Sequence, residues 1–393
     1  MLDQREINSN IDKFVYDLLD YAIYHKASDI HIEGEETYAR IRLRIDGKLT
    51  EILHINRDNY EKLVSKIKLL SKMDISEHRR PQDESLKLAG FENVDFRVSS
   101  IGTINGEKLV IRILSTSEYE KKANLLGFSD NSKEILYEAM KNKSGMIIFS
   151  GPTGSGKSTS LYSLLNSLNS ERDNIITVED PVEYNIEGIN QININEKIDF
   201  SFAKALRSIL RQDPDIIMVG EIRDYETAQI AIRAAITGHL VLTTLHTNNA
   251  LSSIIRLKDL GIENYLLSSA INAVASQRLV RKLCDCKIED KMTYSEYELA
   301  KRFVDIDRDA SIYRPNGCPH CNEGYKGREA CEEVFVIDDK FRDLIRNGKI
   351  DLVSLNKYAK ENNFKSMISN GLDKVMDGTT SFEEIISVMY DQI

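Results

Sequence analysis

The chain has 393 residues, 52 Lys and Arg against 62 Asp and Glu, a formal net charge of −10 and no Trp. That length gives room for two domains, each large enough for its own core. The acidic balance argues against broad nucleic-acid binding while leaving a local basic groove open, and no run of about 18 apolar residues exists to span a membrane as a helix.

The amino terminus, MLDQREINSN, lacks the basic patch and apolar stretch of a secretory signal. Apolar residues at Ile11, Phe14, Val15, Leu18, Leu19, Ala22 and Ile23 predict a helix with one buried face. Alternation in 29–33 and 39–45 predicts two strands, and Asp46-Gly47 supplies a hairpin turn. A helix over 59–73 and strands over 94–100 and 108–114, joined through Asn105-Gly106, complete a small α+β domain over about residues 1–114. The polar, charged stretch 115–124 reads as a linker.

From residue 125 to 393 the pattern changes. Nearly continuous apolar runs at 146–149, 174–178, 215–219 and 240–244 alternate with helical stretches, which predicts an α/β domain on a mostly parallel sheet covered on both faces. From about residue 290 onward the chain reads as mostly helical, and Ser381-Phe382-Glu383-Glu384 as a capping box opening the last helix.

The run Met146–Phe149 leads into Gly151-Pro152-Thr153-Gly154-Ser155-Gly156-Lys157-Ser158, and a helix-like stretch follows from Thr159. This is G-x-x-x-x-G-K-S in a strand–loop–helix setting, a loop for a nucleoside triphosphate. Glycines let backbone N–H groups turn in around phosphates, and the helix presents its positive end to them. Lys157 can reach the β- and γ-phosphates, and the Ser158 hydroxyl can hold Mg²⁺.

Hydrolysis also needs a carboxylate and a group that orients water. Glu221 closes the apolar run 216–219, and Glu179 closes 175–178, where ligands gather in open α/β sheets. Each taken singly could be a solvated strand end. Arg207 and Arg211, four apart, share one predicted helix face, and Arg223 follows Glu221; these suit a γ-phosphate or ordinary surface ion pairs equally. His239 and His246 flank the strand 240–245, a pattern that by itself is more often structural than catalytic.

Cys284-Asp285-Cys286 and Cys318-Pro319-His320-Cys321 form two close thiol pairs. They read as a tetrahedral zinc site in a reducing, cytosolic setting, with reduced unliganded thiols as the alternative. The one-residue spacer of the first pair forces a tight chelate, which brings in His320 or Cys331 as a substitute ligand.

Taken together, Gly151–Ser158, then 176–183, 206–224 and 237–247, resemble the secretion-ATPase superfamily of type II secretion and type IV pilus assembly motors. They match its phosphate loop, aspartate box, second nucleotide strand and histidine box in order. The resemblance extends over 26–33, 44–47, 79–83 and 106–108, nearly the whole chain. It implies a RecA-like motor domain behind a small PAS-like α+β domain, with a Cys-rich insertion over about 284–321. It further implies a cytoplasmic homohexamer that hydrolyses ATP with Mg²⁺ and, through zinc-binding cysteines, belongs with assembly rather than retraction motors. Gly151, Thr153, Gly154, Ser155, Gly156, Lys157, Ser158 and Thr159 would bind phosphate and Mg²⁺. Glu221 would activate water with Glu179 in support, and His239 and His246 would sense the γ-phosphate. Arg207 and Arg211, with Arg44 and Arg97 from the first domain, would clamp nucleotide. Where the family often has Gly-Arg after Asp83, this chain has Glu84-Ser85, which removes support for a nucleotide contact from that loop.

Because the α+β domain begins almost at Met1, the expected form is a short motor without the extra amino-terminal adaptor domain. It would be recruited to the inner face of the membrane by a polytopic platform protein. A retraction motor of the same superfamily, a conjugation or nucleic-acid translocase, and a nucleotide-gated scaffold without turnover are the alternatives. No Trp and no basic, aromatic-lined channel speaks for the translocase.

Overall fold

The computed structural model describes residues 5–115 and 127–390, and divides the chain into two compact units, Met1–Lys121 and Lys122–Ile393. Most of the segment read as a linker, from residue 116 on, lies outside the described residues.

The first unit is built on a six-stranded antiparallel sheet. Its strands are β1 (Asp29–Gly34), β2 (Tyr38–Ile45), β3 (Lys48–Asn56), β4 (Gln82–Leu86), β5 (Val94–Thr103) and β6 (Gly106–Ser115), in the order β3-β2-β1-β6-β5-β4. Period-2 alternation decides which face is buried. Ile30, Ile32, Ile41, Leu43, Phe96, Val98, Leu109 and Ile111 join one core with Phe14, Leu18 and Leu19 of helix Ile11–Tyr24 and Leu63 and Ile67 of helix Arg57–Leu70. Asp46 and Gly47 both take positive φ, as a two-residue hairpin turn requires. The second helix starts two residues before the expected Asn59, because the Asn56 side chain caps it by accepting from Asn59 N, and it ends at Leu70 rather than Met73.

The second unit carries β7 (Gly145–Ser150), β8 (Ile175–Glu179), β9 (Asn190–Asn193), β10 (Ile216–Val219), β11 (Leu240–Leu245), β12 (Ile271–Leu283) and β15 (Tyr325–Val336), in the order β15-β12-β7-β11-β10-β8-β9. All neighbours pair in parallel except β12 with β15, so the sheet is mostly parallel as the apolar runs predict. Residues alternate between two buried faces. Met146 and Ile148 join one core with helices 202–209, 225–236 and 250–259, while Ile147 and Phe149 join the other with helices 130–141 and 157–168.

The carboxy-terminal third departs from the helical expectation. Strands β13 (Ile288–Lys291) and β14 (Ser311–Arg314) form a separate pair flanking helix Tyr294–Ala300, β15 extends to Val336, and the run of helices resumes at Asp339. Both β12 and β15 are largely buried on two sides, which erases the alternation that marks a half-exposed strand. Half of the expected capping box forms: Ser381 accepts from Glu384 N at 3.2 Å, but the Glu384 carboxylate is taken by Arg281 at 2.8 and 3.0 Å. Thr293 and Glu296 form a complete box.

Candidate active site

The phosphate loop leaves the end of β7 and returns as helix Lys157–Leu168, with Gly156 as a left-handed N-cap at φ 89°. Lys157 is buried, and its Nζ donates to Gly151 O at 2.7 Å and Pro152 O at 3.0 Å. Burial pushes its ammonium down to about 8, with the Glu221 charge pulling the other way. The Ser155 hydroxyl is buried without a partner among the described residues, while Ser158 at the helix start is exposed. An ammonium satisfied only by loop carbonyls, an orphaned hydroxyl and helix N–H groups fit a polyphosphate.

The parallel sheet brings the ends of β8, β10 and β11 to the same edge as this loop. There the two acids separate in character. Glu221 lies half-buried, paired with Arg223, and its Oε2 is 3.2 Å from His246 Nε2. Thr244 Oγ1 donates to Gly220 O at 2.7 Å, tying the ends of β10 and β11 together. Glu179 is 4% exposed and accepts from Thr177 Oγ1 at 2.6 Å, from the Tyr162 hydroxyl and from Gln191 Nε2 at 3.3 Å. Burial raises its pKa, with the donors opposing. Glu221 is therefore the accessible carboxylate, and Glu179 a locked one beneath it.

His239 does not join this edge in its own chain. It precedes β11 at the opposite end, where its carbonyl accepts from Gly145 N at 3.1 Å and its Nδ1 lies 3.0 Å from Ala234 O. A six-residue strand, roughly 20 Å, separates it from the loop. Nor do Arg207 and Arg211 share a helix face. Helix Phe202–Ile209 ends first; Arg207 pairs with Glu226, and Arg211 folds back onto Arg207 O at 2.7 Å and Ser208 Oγ at 3.2 Å.

In the first unit, Arg44 lies 3.5 Å from Asp29 and donates to Gly47 O at 2.9 Å, and Arg97 stands opposite Arg112 in the β5–β6 register. Their face carries a dense ion network. Glu33 meets Arg40, Arg42 and Lys108; burial opposes its ionisation, but Arg42 and Lys108 hold its carboxyl down to about 2.

Sequence reasoning missed the buried residues that support the site. Gln277 on β12 touches the phosphate loop. Glu333 on β15 accepts from the first N–H of two helices, Ala250 at 2.7 Å and Met367 at 3.0 Å, which fixes the end of the loop that carries His246. A polar residue interrupting a buried run is the only signal either one leaves.

Cys284, Cys286, Cys318 and Cys321 gather with all sulfurs within 4.8 Å of one another, and the pairs 284–318 and 286–321 lie 3.9 Å apart. Four Zn–S bonds of about 2.3 Å at tetrahedral angles put sulfurs about 3.8 Å apart, so the cluster fits that ion. Cys318 N also donates to Cys321 Sγ at 3.1 Å. Neither substitute ligand is needed: His320 is exposed outside the cluster, and Cys331 lies in a separate core against Met367 O at 3.3 Å.

A glycine-rich loop between a buried parallel strand and a helix, with a carboxylate closing the second strand along, defines a P-loop nucleoside triphosphatase. Within that class the chain belongs to the Type II/IV secretion system protein family, whose sequence pattern matches residues 4–387. It is 44% identical over 389 residues to the type II secretion system ATPase E of Vibrio cholerae, covering 98% of this chain and 76% of that protein. It is also 44% identical over 388 residues to the type IV pilus assembly ATPase PilB of Acinetobacter baylyi, covering 98% and 67%. The solved pilus retraction motor PilT with bound ADP superposes with a TM-score of 0.64 at 27% identity, covering 94% of this chain and 95% of that one.

Proposed function

We propose that this chain is an ATP-hydrolysing motor that works as a homohexamer and powers assembly of a type IV pilus or a type II secretion pseudopilus. The observation that carries the reading is the joining of Glu221, Arg223 and His246 at the sheet edge that also holds the Lys157 loop. Identity of 44% to an assembly ATPase and to a secretion ATPase, against 27% to a retraction motor, favours assembly.

In this reading Lys157 exchanges its two loop carbonyls for β- and γ-phosphate oxygens, Thr159 helps hold the phosphates, and Ser158 would hold Mg²⁺, which would supply charge to neutralise them. Gly151, Thr153, Gly154, Ser155 and Gly156 shape the cradle. Glu221 orients the attacking water and takes up its proton, while Arg223 and His246 hold the carboxylate in place. His246, beside Glu221, registers the γ-phosphate in this reading. Arg44 and Arg97 of the first unit, with Arg207 and Arg211, supply cationic contacts to nucleotide, and His239 acts away from its own cradle; these parts come from the family resemblance. Zinc in the four-cysteine cluster, a polytopic inner-membrane platform protein as partner and a place at the cytoplasmic face of that membrane complete the proposal. Nucleic acid has no part in it.

Replacing Glu221 by Gln is expected to cut phosphate release by on the order of a hundredfold or more while ATP still binds, and Lys157→Ala to lose nucleotide binding. Phosphate release at the parent rate in either variant overturns the assignment.

A further inference from the structure

Gln277 sits on β12 one residue past the Ser276–Ser150 pairing, directly beside the root of the phosphate loop. It is 1% exposed, and its Nε2 donates to Ser155 O at 2.7 Å. The contact is close on both sides. A Cβ at Gly151 would lie 2.4 Å from Gln277 O, and one at Gly156 would lie 2.9 Å from Gln277 Nε2. A side chain at either glycine would press on this one residue from a strand more than a hundred positions away, on its backbone carbonyl at Gly151 and on its amide at Gly156. Gln277 Oε1 and Ser155 Oγ are both buried without partners among the described residues, so the side chain is held by its amide donor alone.

A trans peptide is planar, and its carbonyl and following N–H point to opposite sides. Drawing the Ser155 carbonyl outward onto Gln277 turns the Gly156 N–H away from β12, toward the inside of the loop. That N–H is the donor just before Lys157, at the helix start where phosphate charge collects. We infer that Gln277 is a positioning residue for nucleotide affinity: its side-chain amide fixes the Ser155–Gly156 peptide in the phosphate-binding orientation. The inference rests on the reading of this loop as the ATP site.

A positioning role through the phosphate cradle predicts a split between binding and chemistry. In Gln277→Met the donor is lost, the buried Ser155 carbonyl has no partner and the peptide is free to rotate. ATP and ADP, each with Mg²⁺, are expected to bind roughly tenfold more weakly by calorimetry, with the rate at saturating ATP close to the parent's. Gln277→Glu supplies a second test should the methionine variant fail to fold. Its ionised carboxylate faces a carbonyl and repels phosphate, but its protonated form donates to Ser155 O. The affinity gap to the parent is therefore expected to narrow as pH falls from about 8 to about 6. Affinities within about twofold of the parent's in a folded Gln277→Met protein overturn the inference, as does a lowered saturated rate with unchanged affinity or a pH-independent gap for Gln277→Glu. A parent chain that binds neither nucleotide removes the ATP-site reading itself; a parent that binds them beside a variant that binds equally well removes only the bracing.

Discussion

Lys157 is where burial and function pull hardest against each other. Its ammonium, ordinarily near 10.5, is pushed to about 8 by burial, the Glu221 charge opposing the shift. For folding, an unfolded chain binds this proton more tightly, so the burial cost is present below about 8 and is relieved as pH rises from there toward 10.5. For nucleotide binding the sign reverses. Phosphate oxygens raise the lysine's pKa in the complex, so binding above about 8 takes up a proton and weakens as pH rises. ATP affinity is expected to fall about tenfold between pH 7 and pH 9; a flat profile in the parent contradicts it. Lys157 was legible because its motif is contiguous. Read from the residues alone, Glu179 and Glu221 were legible as acids at strand ends but not as different acids, and only the family resemblance ranked Glu221 first. Only the packing of Thr177, Tyr162 and Gln191 around Glu179 tells the locked carboxylate from the accessible one.

At the scale of elements, periodicity located the half-exposed strands of the first unit and the apolar parallel strands β7, β8, β10 and β11. It failed for β12 and β15, because a strand covered on both faces shows no alternation and these two also carry Gln277, Arg281, Glu332 and Glu333 in buried positions. Several of these groups find partners across the fold, as Arg281 does in Glu384 and in the Tyr325 ring 3.8 Å away, and such partners are invisible in a linear pattern. The cysteine pairs were legible from spacing alone, and Cys-x-Cys brings its thiols together as well as a two-residue spacer would. This cluster begins where β12 ends and sits beside the small core of Val280, Ile312, Leu372 and Ile385. Zinc there should therefore stabilise the local fold. Purified protein is expected to hold about one zinc per chain, and Cys286→Ser to drop below about half an equivalent and melt a few degrees lower. Melting that does not change when a chelator strips bound metal would count against a structural role.

Seen as a whole, the chain is two units, each with its own sheet and its own core, and only the second carries the phosphate loop, Glu221 and His246. The residues expected to surround nucleotide do not all gather at that loop. His239 lies at the far end of β11, and Arg207 and Arg211 are engaged with Glu226 and their own helix end. In the proposed ring, these groups would act on nucleotide held by a neighbouring copy. Sequence could show that these groups exist but not in which protomer each one acts, since a linear order holds no symmetry operator. The ring makes a quantitative demand. If protomers cut ATP in a coordinated cycle, mixing parent chains with Glu221→Gln chains under conditions that exchange subunits lowers phosphate release more steeply than the fraction of parent chains. A release rate that follows that fraction in a straight line would show each protomer working alone, and the coordinated hexamer would have to be abandoned.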